Sequence, residues 1–176
     1  KAMADLVSER KIRAVGVSNF GASRMQRAHA ELVRRGLVLA SNQVKYSLLD
    51  RRVESKGTIA AARELGVTII AYSPLEQGLL TGKYHQDTAY VKSRPGPRKW
   101  MARFRSAGLE RSRPVIEELG RIAASHGATC GQVALAWLFQ FNTNVVVIPG
   151  ASRAEQAREN CGALNLKLSA RELQRL

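Results

Sequence analysis

The segment 145–160 (VVVIPGASRAEQAREN) combines a buried strand, a glycine turn and the start of a helix. Four consecutive β-branched residues, Val145–Ile148, predict the strand. Pro149 ends it, and Gly150 allows the backbone to approach a ligand closely. A helix N-terminus placed after such a turn favours binding of an anion such as phosphate. An ordinary strand–loop–helix connection has the same pattern and stays open as the alternative.

Polar residues at the start of this helix have a spacing that could recognise a nucleotide. Ser152 and Glu155 have the capping-box spacing and predict the helix N-terminus. Gln156, Glu159 and Asn160 stand at i, i+3 and i+4, which places them on one helix face. Polar groups that converge behind a phosphate site suggest a nucleotide ligand.

Polar residues also stand at or directly after the ends of three other predicted strands, at 12–17, 39–44 and 67–72. The residues at these strand ends are Ser18, Asn19, Asn42, Gln43, Tyr72 and Ser73. Helices are predicted at 23–35, 55–65, 112–126, 129–141 and from Arg153, whereas the long segment 73–109 contains Pro and Gly and no predicted strand. Strands that alternate with helices predict a parallel sheet with right-handed crossovers.

Two α/β architectures compete for this pattern. A doubly wound dinucleotide-binding sheet would carry G-x-G-x-x-G in its first βα turn, but residues 17–21 read VSNFG. A (β/α)8 TIM barrel places polar residues at the carboxyl end of every strand, as seen here. The predicted fold is therefore half of such a barrel, with four parallel βα units plus extra helices. Half a barrel would leave open sheet edges and an unfilled interior. Both chain ends also fall within predicted helices, so we expect a fragment that lacks four preceding units.

The composition limits the choice of partners. The net charge is +14, but the arginines are scattered and aromatic residues are few, which favours solvated arginines over nucleic-acid binding. No apolar run is long enough to span a membrane, and no signal-peptide pattern is present. Cys130 and Cys161 fit no metal or redox spacing, and each is expected to be a small buried residue.

Four stretches, in order along the whole chain, resemble the aldo-keto reductase superfamily. They are VGVSNF (15–20), SNQVKYSLLDR (41–51), GVTIIAYSPLEQGLLTGKY (66–84) and VIPGASRAEQARENCGAL (147–164). The resemblance is nearest to plastid and bacterial reductases and to the β subunits of voltage-gated potassium channels. It identifies residues 1–176 as a single partial domain, the C-terminal half of the family's barrel.

The resemblance implies that NADP(H) binds in extended form across the top of the barrel. The residues that would hold the nicotinamide are Ser18, Asn19 and Gln43, with Tyr72 stacked on the ring. The residues that would follow the pyrophosphate are Ser73, Pro74, Leu75, Glu76 and Gln77, largely through backbone groups, with Lys83 and Arg98 as phosphate cations and Arg94 as a rival of Arg98. The adenosine 2′-phosphate would lie at Gly150, Ser152 and Gln156, with Arg153 as an extra cation. The residues that would bind the adenine edge are Glu159 and Asn160. Many members of the family have arginine in place of Gln156, so NADP is favoured over NAD without being fixed.

The same resemblance places the family's catalytic tyrosine, lysine, aspartate and histidine in the first half of the barrel. No catalytic residue is therefore assigned in this chain. Lys45, Tyr46 and Asp50 have suitable types, but they follow the sixth barrel strand and are not adopted as catalytic.

The function expected of the full-length form is NADP-dependent reduction of aldehydes and ketones to alcohols by hydride transfer. The alternative is a cofactor-binding regulatory subunit resembling the potassium-channel β subunits. The expected partner is a small carbonyl substrate, with neither nucleic acid nor membrane, and homo-oligomerisation stays open. The expected location is the cytoplasm, or the plastid in a photosynthetic eukaryote.

Overall fold

Four parallel strands form the centre of the molecule. The computed structural model describes residues 1–87, 89 and 100–176. The strands are β1 (Val15–Ser18), β2 (Leu39–Lys45), β3 (Thr68–Tyr72) and β4 (Val145–Ile148). They form one sheet in the order β1-β2-β3-β4, and every neighbouring pair is parallel. The prediction of an α/β fold with four parallel βα units is confirmed.

Helices connect and flank these strands. They are α1 (Ala2–Ser8), α2 (Ala22–Val33), α3 (Arg52–Ser55), α4 (Thr58–Glu64), α5 (Lys83–Gln86), α6 (Ser106–His126), α7 (Cys130–Phe141), α8 (Ala154–Gly162) and α9 (Ala170–Arg175). Short 3-10 helices cover Glu76–Thr81, Ala102–Phe104 and Ala163–Asn165. Within the described ranges, no helix is long and apolar enough to cross a membrane.

Several predicted element boundaries differ from the observed ones, and the strand predicted at 12–17 is one of them, since it spans Val15–Ser18. The helix predicted over 55–65 begins only at Thr58, and a separate short helix, α3, precedes it, because Gly57 between them has a left-handed φ of 68°. The helix predicted from 112 already begins at Ser106 and contains Pro114. The segment after β3, for which no element was predicted, contains a 3-10 helix and the four-residue helix α5.

The two faces of the sheet are covered to different degrees. Ile69, Ala71 and Val145 lie on the helix-covered face and are almost completely buried. On the other face, Ile70 pairs in register with Val146, and 48% of the Val146 surface is exposed. Among the described residues, β1 and β4 each pair with one strand only, which is the arrangement of half a barrel.

The loop after β2 is anchored to α7 by aromatic contacts. Trp137 is fully buried and stacks on Phe141 with 4.7 Å between ring centroids. The Arg51 guanidinium lies over both rings, at 4.7 Å and 5.1 Å from their centroids, and it donates two hydrogen bonds of 2.9 Å to the Glu54 carboxylate. This contact fixes the start of α3, which carries charged residues toward the sheet edge.

The two cysteines differ from each other. Cys130 is half-buried, and burial raises the pKa of its thiol. Cys161 is exposed on α8, so the prediction that it is buried was wrong. The α8 helix has no buried residue and lies on the surface, which leaves the Cys161 side chain without a core to enter.

Two glycines of α6 should respond in opposite ways to alanine. In Gly108→Ala, the new Cβ would lie 2.7 Å from the Arg103 backbone carbon, so we expect a loss of about 1–3 kcal/mol in the free energy of unfolding. Gly120 has open space around it, so Gly120→Ala should gain up to about 1 kcal/mol through helix propensity. Urea unfolding of both variants measures the two effects, and equal stabilities would contradict the prediction.

Candidate functional site

Four predicted nicotinamide contacts lie together at the carboxyl edge of the sheet. The Ser18 hydroxyl and the Asn19 backbone N–H both donate to the Gln43 carbonyl, at 3.1 Å and 2.8 Å. The Tyr72 hydroxyl donates to Asn19 Oδ1 at 3.2 Å, and Asn19 Nδ2 donates to Ser18 Oγ at 3.3 Å. The ends of β1, β2 and β3 are therefore connected by one chain of hydrogen bonds. The Gln43 side-chain amide has no hydrogen-bond partner in the described part of the chain.

Asn42 positions this edge from the opposite face of the sheet. Its side chain is completely buried, Nδ2 donates to the Phe20 carbonyl at 2.8 Å, and Oδ1 accepts from the Phe20 N–H at 3.3 Å. These two bonds clamp the loop that carries Asn19. The sequence marked Asn42 only as a polar strand end, although the two-residue period of a strand already separates it from Gln43.

Left-handed backbone conformations coincide with the predicted cofactor contacts. The non-glycine residues with positive φ in the described structure are Arg10, Asn19, Ser73, Glu76 and Gln77, with φ between 47° and 58°. All of them except Arg10 belong to the predicted set. Such conformations cost free energy and cluster at binding and catalytic sites. The left-handed backbone therefore marks these positions as candidates for a binding or catalytic site.

The turn after β3 is held by a buried carboxylate. Glu76 is 3% exposed, and its Oε1 lies 2.7 Å from Lys45 Nζ and accepts from Ser47 Oγ at 3.1 Å. Its Oε2 pairs with Arg103. The Glu76 side chain is thus an internal anchor, which leaves only its backbone for the predicted pyrophosphate contact. Sequence reasoning missed this role because Arg103 is 27 residues away.

The other predicted pyrophosphate contacts surround this turn. Pro74 is buried, Leu75 packs against the core, and Gln77 is exposed. The Lys83 ammonium lies beside Gly78, since a Cβ on this glycine would be 3.2 Å from Lys83 Nζ. A cation next to a left-handed turn suits a phosphate group. Arg98, and its rival Arg94, lie outside the described residues.

Asp50 is the second carboxylate at this edge. The Arg52 guanidinium donates to both of its oxygens, at 2.8 Å and 2.7 Å, and Lys45 Nζ lies 3.2 Å from Oδ2. The hydrogen bonds from Arg52, with a further contribution from Lys45, hold the pKa of Asp50 at about 2. Asp50 is therefore ionised at neutral pH.

The start of α8 differs from the prediction. No capping box forms between Ser152 and Glu155, because Arg153 is the N-cap residue and makes no side-chain cap. Instead, the Ser152 N–H and hydroxyl both donate to Gln156 Oε1, at 2.8 Å and 3.0 Å. The Gln156 amide reaches back to Ser152 and takes the position that Glu155 was expected to fill. Gly150 is exposed, and space beside it is open.

The predicted adenine contacts also link α8 to α7. Glu159 Oε1 accepts from the Thr129 hydroxyl at 2.9 Å, and the Glu159 carbonyl accepts from Gln132 Nε2 at 2.9 Å. Asn160 is half-buried. Arg153 is exposed, and the described part of the chain contains no acidic partner for it.

Tyr46 lies on the other side of β2 from this edge. It is completely buried, its hydroxyl donates to Glu54 Oε1 at 2.6 Å and accepts from Asn142 Nδ2 at 2.8 Å. Burial and the hydrogen bond to Glu54 raise its pKa far above the usual range. This tyrosine is part of the core rather than a proton donor at the sheet edge.

Comparisons with known proteins support the fold described above. The sequence profile of the Aldo/keto reductase family matches residues 1–176. The chain belongs to the aldo-keto reductase family. The chain is 37% identical over 174 residues to aldo-keto reductase str7 from Strobilurus tenacellus, covering 98% of this chain and 50% of that protein. It is 40% identical over 158 residues to the chloroplastic pyridoxal reductase of Arabidopsis thaliana, covering 90% of this chain and 41% of that protein.

A solved aldo-keto reductase has the same fold. The crystal structure of the thermostable aldo-keto reductase Tm1743, in complex with the inhibitor epalrestat, superposes with a TM-score of 0.72 at 34% identity. The superposition covers 98% of this chain and 50% of the Tm1743 chain. The chain spans about half the length of the aldo-keto reductases it matches, and its four parallel βα units correspond to half of their (β/α)8 barrel.

The lowered pKa of Asp50 predicts a pH dependence of stability. A carboxylate with a folded-state pKa of about 2 stabilises the protein above its unfolded pKa of about 4, and this contribution is lost as the pH falls from about 4 to 2. Asp50→Asn should therefore be less stable than the wild type near neutral pH, and the gap should shrink in acid. Urea unfolding across this range measures it. Asp5→Asn, at an exposed aspartate, is the control, and a pH-independent Asp50→Asn gap would contradict the prediction.

Proposed function

We propose that this chain is the NADP(H)-binding half of a reductase that converts aldehydes and ketones to alcohols. The observation that carries the proposal is the coincidence at the carboxyl edge of the sheet. The hydrogen-bonded ends of β1, β2 and β3 lie there with four left-handed residues, all predicted cofactor contacts. NADPH, when bound, supplies the hydride.

The residues at the ends of β1 to β3 fit a nicotinamide carboxamide. An amide needs donors and acceptors once it leaves water, and the unpartnered side-chain amide of Gln43 offers both. Ser18 and Asn19 add a hydroxyl and a second amide within the same hydrogen-bond chain. The half-buried Tyr72 ring is held by its bond to Asn19, which suits it to stack on the nicotinamide and shield one face.

The residues near α8 fit a 2′-phosphate at the other end of the cofactor. The Ser152 N–H and hydroxyl donate to Gln156 Oε1 and orient its amide. The Gln156 NH2 group can then donate to a phosphate. Arg153 adds a positive charge at the same helix N-terminus. Amide and guanidinium donors beside a helix N-terminus suit a phosphate, which supports NADP over NAD.

The relatives support a carbonyl substrate. One of them is named for pyridoxal, which is an aldehyde. We therefore infer an aldehyde or ketone as the substrate class of the complete protein, with the cofactor bound by the residues above.

The 2′-phosphate assignment predicts a selective loss in one variant. Arg153→Ala should weaken NADPH binding by about fivefold, equivalent to about 1 kcal/mol for one exposed charge, and should leave NADH binding unchanged because NADH lacks that phosphate. Nucleotide fluorescence titration measures both. Arg158→Ala, five residues along the same helix, is the matched control. An equal effect on both cofactors would refute the assignment.

Residues 1–176 alone should not reduce carbonyl compounds. The family's proton donor and its partners are expected in the other half of the barrel, and Tyr46 is buried in the core with a raised pKa. In the presence of a panel of aldehydes, NADPH absorbance should fall no faster with the protein than in a blank without it. Carbonyl-dependent oxidation of NADPH by this chain would show that the assignment of the chemistry to the other half is wrong.

A further inference from the structure

A cavity of about 280 Å³ opens next to the predicted nicotinamide site. Its lining includes Asn19 and Tyr72, Lys45 at the end of β2, and Arg52 and Lys56 from the segment between β2 and α4. A volume of this order holds a small molecule. Because the cavity shares Asn19 and Tyr72 with the nicotinamide site, a molecule inside it would lie close to the ring that carries the hydride.

The charges in and beside the cavity do not balance. The cations are Lys45, Arg52, Lys56 and Arg103, and the carboxylates are Asp50 and Glu76. Glu76 is shared by two of the cations, and so is Asp50. Both carboxylates are already engaged on both oxygens. Among the residues that line the cavity itself, three cations accompany one carboxylate, which is an excess of two positive charges.

Lys56 carries the most available of these charges. It follows α3 as its C-cap residue and is exposed. No carboxylate lies within 4 Å of its ammonium group in the described part of the chain. Arg52 also lines the cavity, and 70% of its side chain is exposed, although its guanidinium group is bound to Asp50. A lysine without an acidic partner at the mouth of a cationic cavity favours an anionic ligand.

We propose that this cavity binds the anionic group, a carboxylate or a phosphate, of the carbonyl substrate. The proposal rests on the proposed function, since it places the substrate beside the nicotinamide. Lys56 supplies the main attraction, and the pairs of Asp50 with Lys45 and Arg52 hold the cationic wall in place. The preferred substrates are then aldehydes or ketones that bear a negative charge at the end remote from the carbonyl.

The test compares two ligands that differ in one charge. Residues 1–176 are titrated with 4-formylbenzoate and with its methyl ester in the presence of NADP+, and binding is followed by NMR. NADP+ binding is measured separately beforehand. The carboxylate should bind at least about fivefold more tightly than the ester, and the difference should shrink at about 0.5 M salt. The same titration with 4-formylphenyl phosphate shows which anion is preferred.

Two variants test the role of Lys56. Lys56→Ala should reduce the preference for the anion to less than about twofold, and its exposed position makes misfolding no concern for the comparison. Lys167→Ala removes the same charge from an exposed loop outside the cavity and should keep the full preference.

The outcomes separate this inference from the proposed function. Equal binding of acid and ester by the wild type, or equal losses in both variants, would overturn the anion site. Competition between 4-formylbenzoate and NADP+ would also overturn it, since the cavity would then serve the phosphates of the cofactor. Absence of NADP+ binding would reject the proposed function instead, and the acid–ester comparison without cofactor would still decide whether the anion site exists.

Discussion

The buried carboxylate of Glu76 is the constraint on which the carboxyl edge of the sheet depends. A carboxyl group with 3% exposure is tolerated only when its oxygens are paired and hydrogen-bonded. Lys45 at the end of β2, Ser47 in the following loop and Arg103 before α6 meet this need. One side chain thereby connects three segments that are distant in sequence, and the turn after β3 takes its shape from that connection.

This anchor explains why the turn can hold an unfavourable backbone. Ser73, Glu76 and Gln77 are left-handed without being glycine, which costs free energy that the surrounding contacts must offset. The pairing of Glu76 and the close approach of Lys83 to Gly78 supply such contacts. A turn that is already shaped before a ligand arrives loses less conformational entropy on binding, so the strain is consistent with a preformed phosphate site.

The sequence predicted what depends on local patterns and missed what depends on distant partners. The strand Val145–Ile148 is observed as predicted, because four consecutive β-branched residues strongly favour the extended conformation. The carboxyl ends of parallel strands meet at one edge, so the sequence alone places Ser18, Gln43 and Tyr72 in one group. The prediction of a capping box at Ser152 was wrong because the Gln156 side chain accepts from the Ser152 N–H and hydroxyl. The spacing of residues in the sequence does not show which of two nearby side chains makes these hydrogen bonds. The pairing of Glu76 with Arg103 depends on a contact across 27 residues.

Lys45 and Tyr46 show why suitable residue types in sequence do not make a catalytic pair. Successive residues of a strand point to opposite faces, so Lys45 turns to the carboxylates of Asp50 and Glu76, while Tyr46 enters the core against Trp137 with 6.0 Å between ring centroids. The lysine cannot lower the pKa of a phenol that lies on the other side of the sheet and donates to Glu54. Because the strand places the two neighbours on opposite faces, their roles differ. Tyr46 stabilises the contact between the sheet and the helices, and Lys45 pairs with the carboxylates at the edge where the cofactor is proposed to bind.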